Sequence, residues 1–112
     1  MKNTDSDLHS AQYRVTPVDE SGARLLRRYL ERRRGELIEL RRAVECGDFQ
    51  LIGRIGHNLR GSGAAYELVR ISALGERLEE AAARASAPAL TRVIADLEQF
   101  VASITVGDPE AS

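Results

Sequence analysis

At 112 residues the chain has room for one domain with a single core, and is too short for a cofactor-binding fold joined to a substrate domain. With no Trp, three Tyr and two Phe, the core has to come from Leu, Ile, Val and Ala, and three widely spaced Pro cannot punctuate a sandwich or barrel, so an all-α fold is expected. A formal net charge of −1 speaks against bulk attraction to nucleic acid or to an anionic membrane, while a lone Cys46 rules out an internal disulfide and His9 and His57 alone cannot complete a Cys/His zinc set.

Residues 1–15 are polar and aperiodic and read as a flexible N-terminal tail. They contain no apolar core of signal-peptide length, and no run in the chain approaches the ~18 apolar residues of a membrane span, so a cytoplasmic protein is expected. At "TPVDE" the pattern changes. Thr16 can cap a helix, Pro17 suits its first position, and Asp19 and Glu20 complement the positive end of its dipole. Leu25, Leu26, Tyr29, Leu30, Leu37, Ile38, Leu40 and Val44 then recur mainly at spacings of three and four, one apolar stripe on a long helix. Gly47 can close that helix in a left-handed conformation and Asp48 can cap the next.

In the second helix Leu51, Ile52, Ile55 and Leu59 mark the buried face. A break near Tyr66 leads into a third helix carrying Leu68, Ile71, Leu74 and Leu78. "RASAP" supplies the last turn, with Ser86 as cap and Pro88 in the first turn of a fourth helix carrying Leu90, Val93, Ile94, Leu97, Val101 and Ile104. The expected architecture is an antiparallel up-and-down four-helix bundle over residues 16–105, with 106–112 as a frayed end.

The stretch "RIGHNLRGSGAAY", with Gly53 just ahead of it, concentrates four glycines around His57. It is not a P-loop, since it has no Lys and follows a helical rather than a strand pattern, and its glycine spacing is not that of a hydrolase elbow. On a helix whose buried face is Leu51, Ile52, Ile55 and Leu59, His57 points outward, with Gly53, Arg60, Gly61 and Ala64 as neighbours one and two turns away. Each interior glycine costs a helix ~1 kcal/mol relative to Ala. Gly53, Gly56, Gly61 and Gly63 therefore point to a requirement outside the helix, the simplest being clearance for a partner's backbone or active site. A neutral imidazole is a competent nucleophile near neutral pH, and Arg60 offers a permanent cation for phosphoryl oxygens, so the pattern fits a phosphoryl carrier. Spacing alone leaves an ordinary surface histidine open as the alternative.

"IGHNLRGSGAAYELVRISALGERLEEA" resembles the signature of histidine-containing phosphotransfer (HPt) domains, in which the histidine is followed by x-L-K-G-S-[GS]-A, an aromatic residue and a further helix. The resemblance extends through "YLERRRGELIELRRAVECGDFQLIGRIGHNLRG", so that roughly residues 17–105 are covered. It implies a four-helix bundle in two-component signalling that accepts a phosphoryl group on His57 from a receiver-domain aspartyl phosphate and passes it to another receiver. Arg60 then stands where the family usually has Lys and stabilises the phosphate, and Gly53, Gly56, Gly61 and Ala64 form the receiver-docking face. Glu67 occupies a position often held by glycine. The implied partners are response-regulator receivers and a hybrid histidine kinase; no cofactor is expected on this chain, magnesium belonging to the receiver. The chain is then a stoichiometric carrier, not a turnover enzyme, and a monomer.

Two other features compete. Eight Arg between Arg24 and Arg42 could form a nucleic-acid stripe, but interleaved Glu31, Glu36 and Glu39 favour a solvated face with intrahelical pairs. That basic helix could instead dock a partner with no phosphorylation at all, giving a helical adaptor or inhibitor of receiver or kinase domains as the alternative function. Glu76, Glu79, Glu80, Asp96 and Glu98 lack the histidines of a di-metal bundle and are expected to be surface charge, so no metal site is expected.

Overall fold

The computed structural model describes residues 13–109. The expectations for residues 1–12, His9 among them, and for 110–112 fall outside the described residues. The elements are β1 (Tyr13–Val15), α1 (Glu20–Cys46), α2 (Phe49–Ala65), α3 (Val69–Ala83), α4 (Ala87–Ser103) and β2 (Ile104–Val106). The four helices pack as a ring in which each touches its neighbours in sequence and α4 closes back on α1. Leu30, Leu40, Ile52, Leu59, Ile71, Leu78, Leu90 and Leu97 are among the side chains wholly withdrawn into the single core.

The helix ends follow from local chemistry. Asp48 caps α2 by accepting from the Leu51 N–H at 3.2 Å, and Ser86 caps α4 through Ala89 at 3.3 Å. The long helix begins three residues later than Pro17 would place it, because the Asp19 carboxylate, not Thr16, takes the free N–H of Gly22 at 2.8 Å. Residues just before it are occupied otherwise: Tyr13–Val15, expected in the tail, pair in parallel with Ile104–Val106. Gly107 extends this ladder through its N–H to the Val15 carbonyl at 2.6 Å. Leu25 and Ile38, counted into the apolar stripe by spacing, are 52% and 58% exposed. The stripe actually runs through Ala23, Leu26, Leu30, Leu37, Leu40 and Ala43 and leaves those two beside it.

Three helices end in the same way. The N–H of Asp48 reaches the Ala43 carbonyl, that of Leu68 reaches Gly63, and that of Ser86 reaches Ala81, with Gly47, Glu67 and Ala85 in the left-handed region at φ 74°, 60° and 53°. Only the first of these is a glycine. A side chain in that region costs ~1–2 kcal/mol, partly offset by the extra freedom glycine has in the unfolded chain. Glu67→Gly and Ala85→Gly are each expected to raise stability by ~0.5–1 kcal/mol in urea unfolding, with no gain for either change if the left-handed turns are absent.

Between α1 and α2 the packing is polar. Arg33 is 6% exposed, lies over the Tyr29 ring at 4.5 Å from its centre, and pairs with Glu36 at 3.1 Å. Burial pushes the Glu36 carboxyl above its ordinary value, against the pull of Arg33. Tyr29 stacks on Tyr66 with centroids 4.4 Å apart and shares a 2.8 Å hydrogen bond with Ser62. Ser62 thus clasps the two helices through its hydroxyl.

Candidate functional site

The two central helices approach each other more closely than ordinary side chains permit. A Cβ built on Gly56 would lie 2.7 Å from the Gly75 carbonyl oxygen, one on Gly75 would lie 2.6 Å from that of Gly56, and one on Gly63 would lie 2.6 Å from the Ser72 nitrogen. All three sit where α2 and α3 backbones touch. Ser72 adds a hydroxyl donated to the Arg60 carbonyl at 2.8 Å.

This divides the docking face expected from Gly53, Gly56, Gly61 and Ala64. Gly56 is a correction: it is buried against Gly75 and cannot meet an incoming protein. Gly61 has nothing within 4 Å of its notional Cβ and Ala64 is exposed, so both lie on the open surface. Gly53 is partly buried, in ordinary contact with Ala82. The glycines of "IGHNLRGSG" therefore answer two demands, helix contact for Gly56 and Gly63 and open surface for Gly61.

His57 projects from the exposed side of α2 with 71% of its side chain accessible, and Arg60 follows one turn on at 50%. Glu79 of α3 joins them. Its Oε1 accepts from Arg60 Nη1 at 2.7 Å, and its Oε2 lies 3.2 Å from His57 Nδ1. Sequence reasoning missed Glu79 as a site residue, because nothing within α2 indicates which face of α3 lies alongside. The available signal was Gly75: once it is set against Gly56, a residue one turn later must fall beside the His57–Arg60 surface.

Glu79 is 25% exposed. Partial burial works to raise its pKa, but the hydrogen bonds and charges of Arg60 and His57 outweigh this and hold it below the usual value. An ionised carboxylate at Nδ1 favours the tautomer with the proton on Nδ1, which leaves the lone pair on Nε2. Among the described residues Nε2 has no hydrogen-bond partner. Because the unfolded chain binds this proton more readily, Glu79 contributes stability above its unfolded value of about 4.5, and that contribution is lost as pH falls through the folded pKa. Glu79→Gln is accordingly expected to be less stable than wild type at pH 7, with the two denaturation midpoints converging below about pH 4.5. Glu36 has the opposite sign but is common to both proteins.

Beside His57 an open groove of about 730 Å³ is lined by Phe49, Gly53, Glu79, Ala82 and Ala83 among others. The fold thus offers a concavity next to the histidine, one widely open to solvent.

The Hpt domain family model matches residues 24–104. Comparison with curated proteins and with solved structures found no significant match. Among the described residues no helix is long and apolar enough to cross a membrane. With the match spanning all four helices and the outward-facing histidine, the chain belongs to the Hpt domain family and has a histidine phosphotransfer role in two-component signalling.

Proposed function

We propose that this protein is a phosphorelay intermediate whose His57 takes a phosphoryl group from the aspartyl phosphate of one receiver domain and delivers it to another. The observation that carries this reading is the arrangement at His57: an accessible ring, Nδ1 held by Glu79, Nε2 unpartnered, and Arg60 one turn away. Nε2 attacks phosphorus in line, an N–P bond forms, the P–O bond to the aspartyl carboxylate breaks, and that carboxylate departs with the electron pair. The ring, with its proton on Nδ1, then carries positive charge that the Glu79 carboxylate offsets. Arg60 turns its free donors to the phosphoryl oxygens.

Magnesium is supplied by the receiver, so this chain contributes a nucleophile and its position and acts stoichiometrically. The apolar groove beside His57, with Gly61 and Ala64, is the surface on which a receiver rests. A hybrid histidine kinase stands upstream, the reaction takes place in the cytoplasm, and the protein works as a monomer.

The test uses a panel of phosphorylated receiver domains with magnesium, following acid-labile, alkali-stable phosphate on this protein. Appearance of that label, and its onward loss to a second, unphosphorylated receiver, is the expected result. Receivers that bind without transferring label would replace this reading with that of a docking adaptor.

A further inference from the structure

On the edge of the bundle opposite α2 and α3, a groove runs between α1 and the α4–β2 segment. Its upper part, about 470 Å³, is bounded by Arg27, Leu30, Arg34 and Val106, with Glu31 and Thr105 also on its rim. A lower part of about 290 Å³ continues it past Arg34 and Ala102 to Ile38, Arg41 and Glu98. The lower part is mainly apolar, and Ile38, 58% exposed, is an aliphatic side chain that the fold leaves uncovered there.

The charges along it are ordered. Arg27, Arg34 and Arg41 stand at seven-residue intervals on α1 and all line the groove. Arg41 pairs with Glu98 across it. Among the described residues Arg27 and Arg34 have no carboxylate within ion-pair distance, although alternation with Glu31, Glu36 and Glu39 promised intrahelical pairing; of these glutamates only Glu36 pairs, with the buried Arg33.

We infer that this groove receives an acidic amphipathic helix of a partner protein. Seven residues advance a helix by ~10.5 Å, so a partner lying along α1 with carboxylates at heptad spacing meets Arg27 and Arg34 in register while its apolar stripe covers Ile38, Ala102 and Val106. A two-fold dimer through the same face would set two arginine stripes against each other. Single-stranded nucleic acid is disfavoured because, among the described residues, no aromatic side chain lines the groove to stack a base. The site goes beyond the phosphotransfer reading, since it lies on the other edge from His57 and leaves that histidine open while occupied.

The experiment is an amide chemical-shift titration of the full chain with a synthetic three-heptad helix carrying Leu on one face and Glu flanking it, alongside the same peptide with Lys for Glu. Shifts are expected along residues 27–41 and 98–106 with the Glu peptide alone, weakening as salt rises. Arg27→Glu combined with Arg34→Glu should reduce affinity about tenfold or more, with the remaining amide spectrum unchanged as evidence of folding. The proposal is overturned by absence of shifts, equal binding of the Lys peptide, undiminished binding by the double variant, or shifts centred on His57. Concentration-dependent self-association through these residues, or tighter binding of an oligonucleotide or of anionic vesicles at the same amides, also overturns it. None of these outcomes depends on phosphoryl transfer, so the two readings fail separately.

Discussion

Gly75→Ala is expected to destabilise the bundle by about 2–3 kcal/mol, the upper part of the range for overpacking a close-packed interior. The added methyl would stand 2.6 Å from the Gly56 carbonyl oxygen and 2.8 Å from the Arg60 nitrogen, and backbone atoms cannot rotate away as a side chain can. The helices must separate, which draws Glu79 from His57 and exposes apolar surface along α2. For a domain of this size the loss corresponds to a fall in melting temperature on the order of 10–20 °C. Gly56→Ala should behave alike. Gly61→Ala supplies the contrast: its methyl meets nothing within 4 Å, so helix propensity alone acts and stability should rise by up to ~1 kcal/mol. If Gly61 serves as open surface for a partner, that same variant should transfer phosphate more slowly while melting higher. Equal melting temperatures for Gly75→Ala and wild type would show that the α2–α3 contact is looser than described.

His57→Gln is expected to abolish acceptance of acid-labile phosphate altogether while leaving unfolding unchanged within about 0.5 kcal/mol, as for other exposed substitutions. Glutamine preserves polarity and approximate reach but has no nucleophilic nitrogen lone pair. Glu79→Ala separates orientation from nucleophilicity. Here the imidazole remains, yet its Nδ1 loses the carboxylate and Arg60 loses its anchor. Transfer should persist but slow on the order of tenfold to a hundredfold, less than an orienting carboxylate costs in a buried triad because water can partly replace it around an exposed ring. Transfer rates for wild type and Glu79→Ala measured with one phosphorylated receiver decide the matter. Undiminished transfer by Glu79→Ala would reduce the carboxylate to a surface contact, and label on His57→Gln would place the acceptor elsewhere.

Much of this arrangement was legible from residues alone wherever a feature is local. Gly47 and Asp48 mark a turn by their own backbone and capping preferences, Ser86 does the same for α4, and the period of Leu90, Val93, Ile94, Leu97 and Val101 leaves one face to bury. Long-range features were not legible. Three residues of strand at Tyr13–Val15 carry too little pattern to be seen, and they are ordered by pairing with a segment about ninety positions away. Leu25 and Ile38 show that period assigns a helix face to within one residue, which is not enough at the edge of a stripe. The glycines near His57 were recognised as costly to α2, but whether the cost serves a partner outside or a helix inside depends on Gly75 and on how α3 is rotated. Glu79 escaped for that reason too.

The parallel pairing of β1 with β2 has a mechanical consequence. Tyr13 lies opposite Ile104 and Val15 opposite Val106, so the chain enters at one tip of the ribbon and leaves at the other. Tension applied through flanking segments pulls the two strands past each other lengthwise. The ladder's hydrogen bonds, including the one from Gly107 to Val15, then share the load together instead of parting one at a time as they would in a hairpin pulled open from its ends. The four helices are thereby held as a closed loop whose clasp resists being drawn apart along the chain.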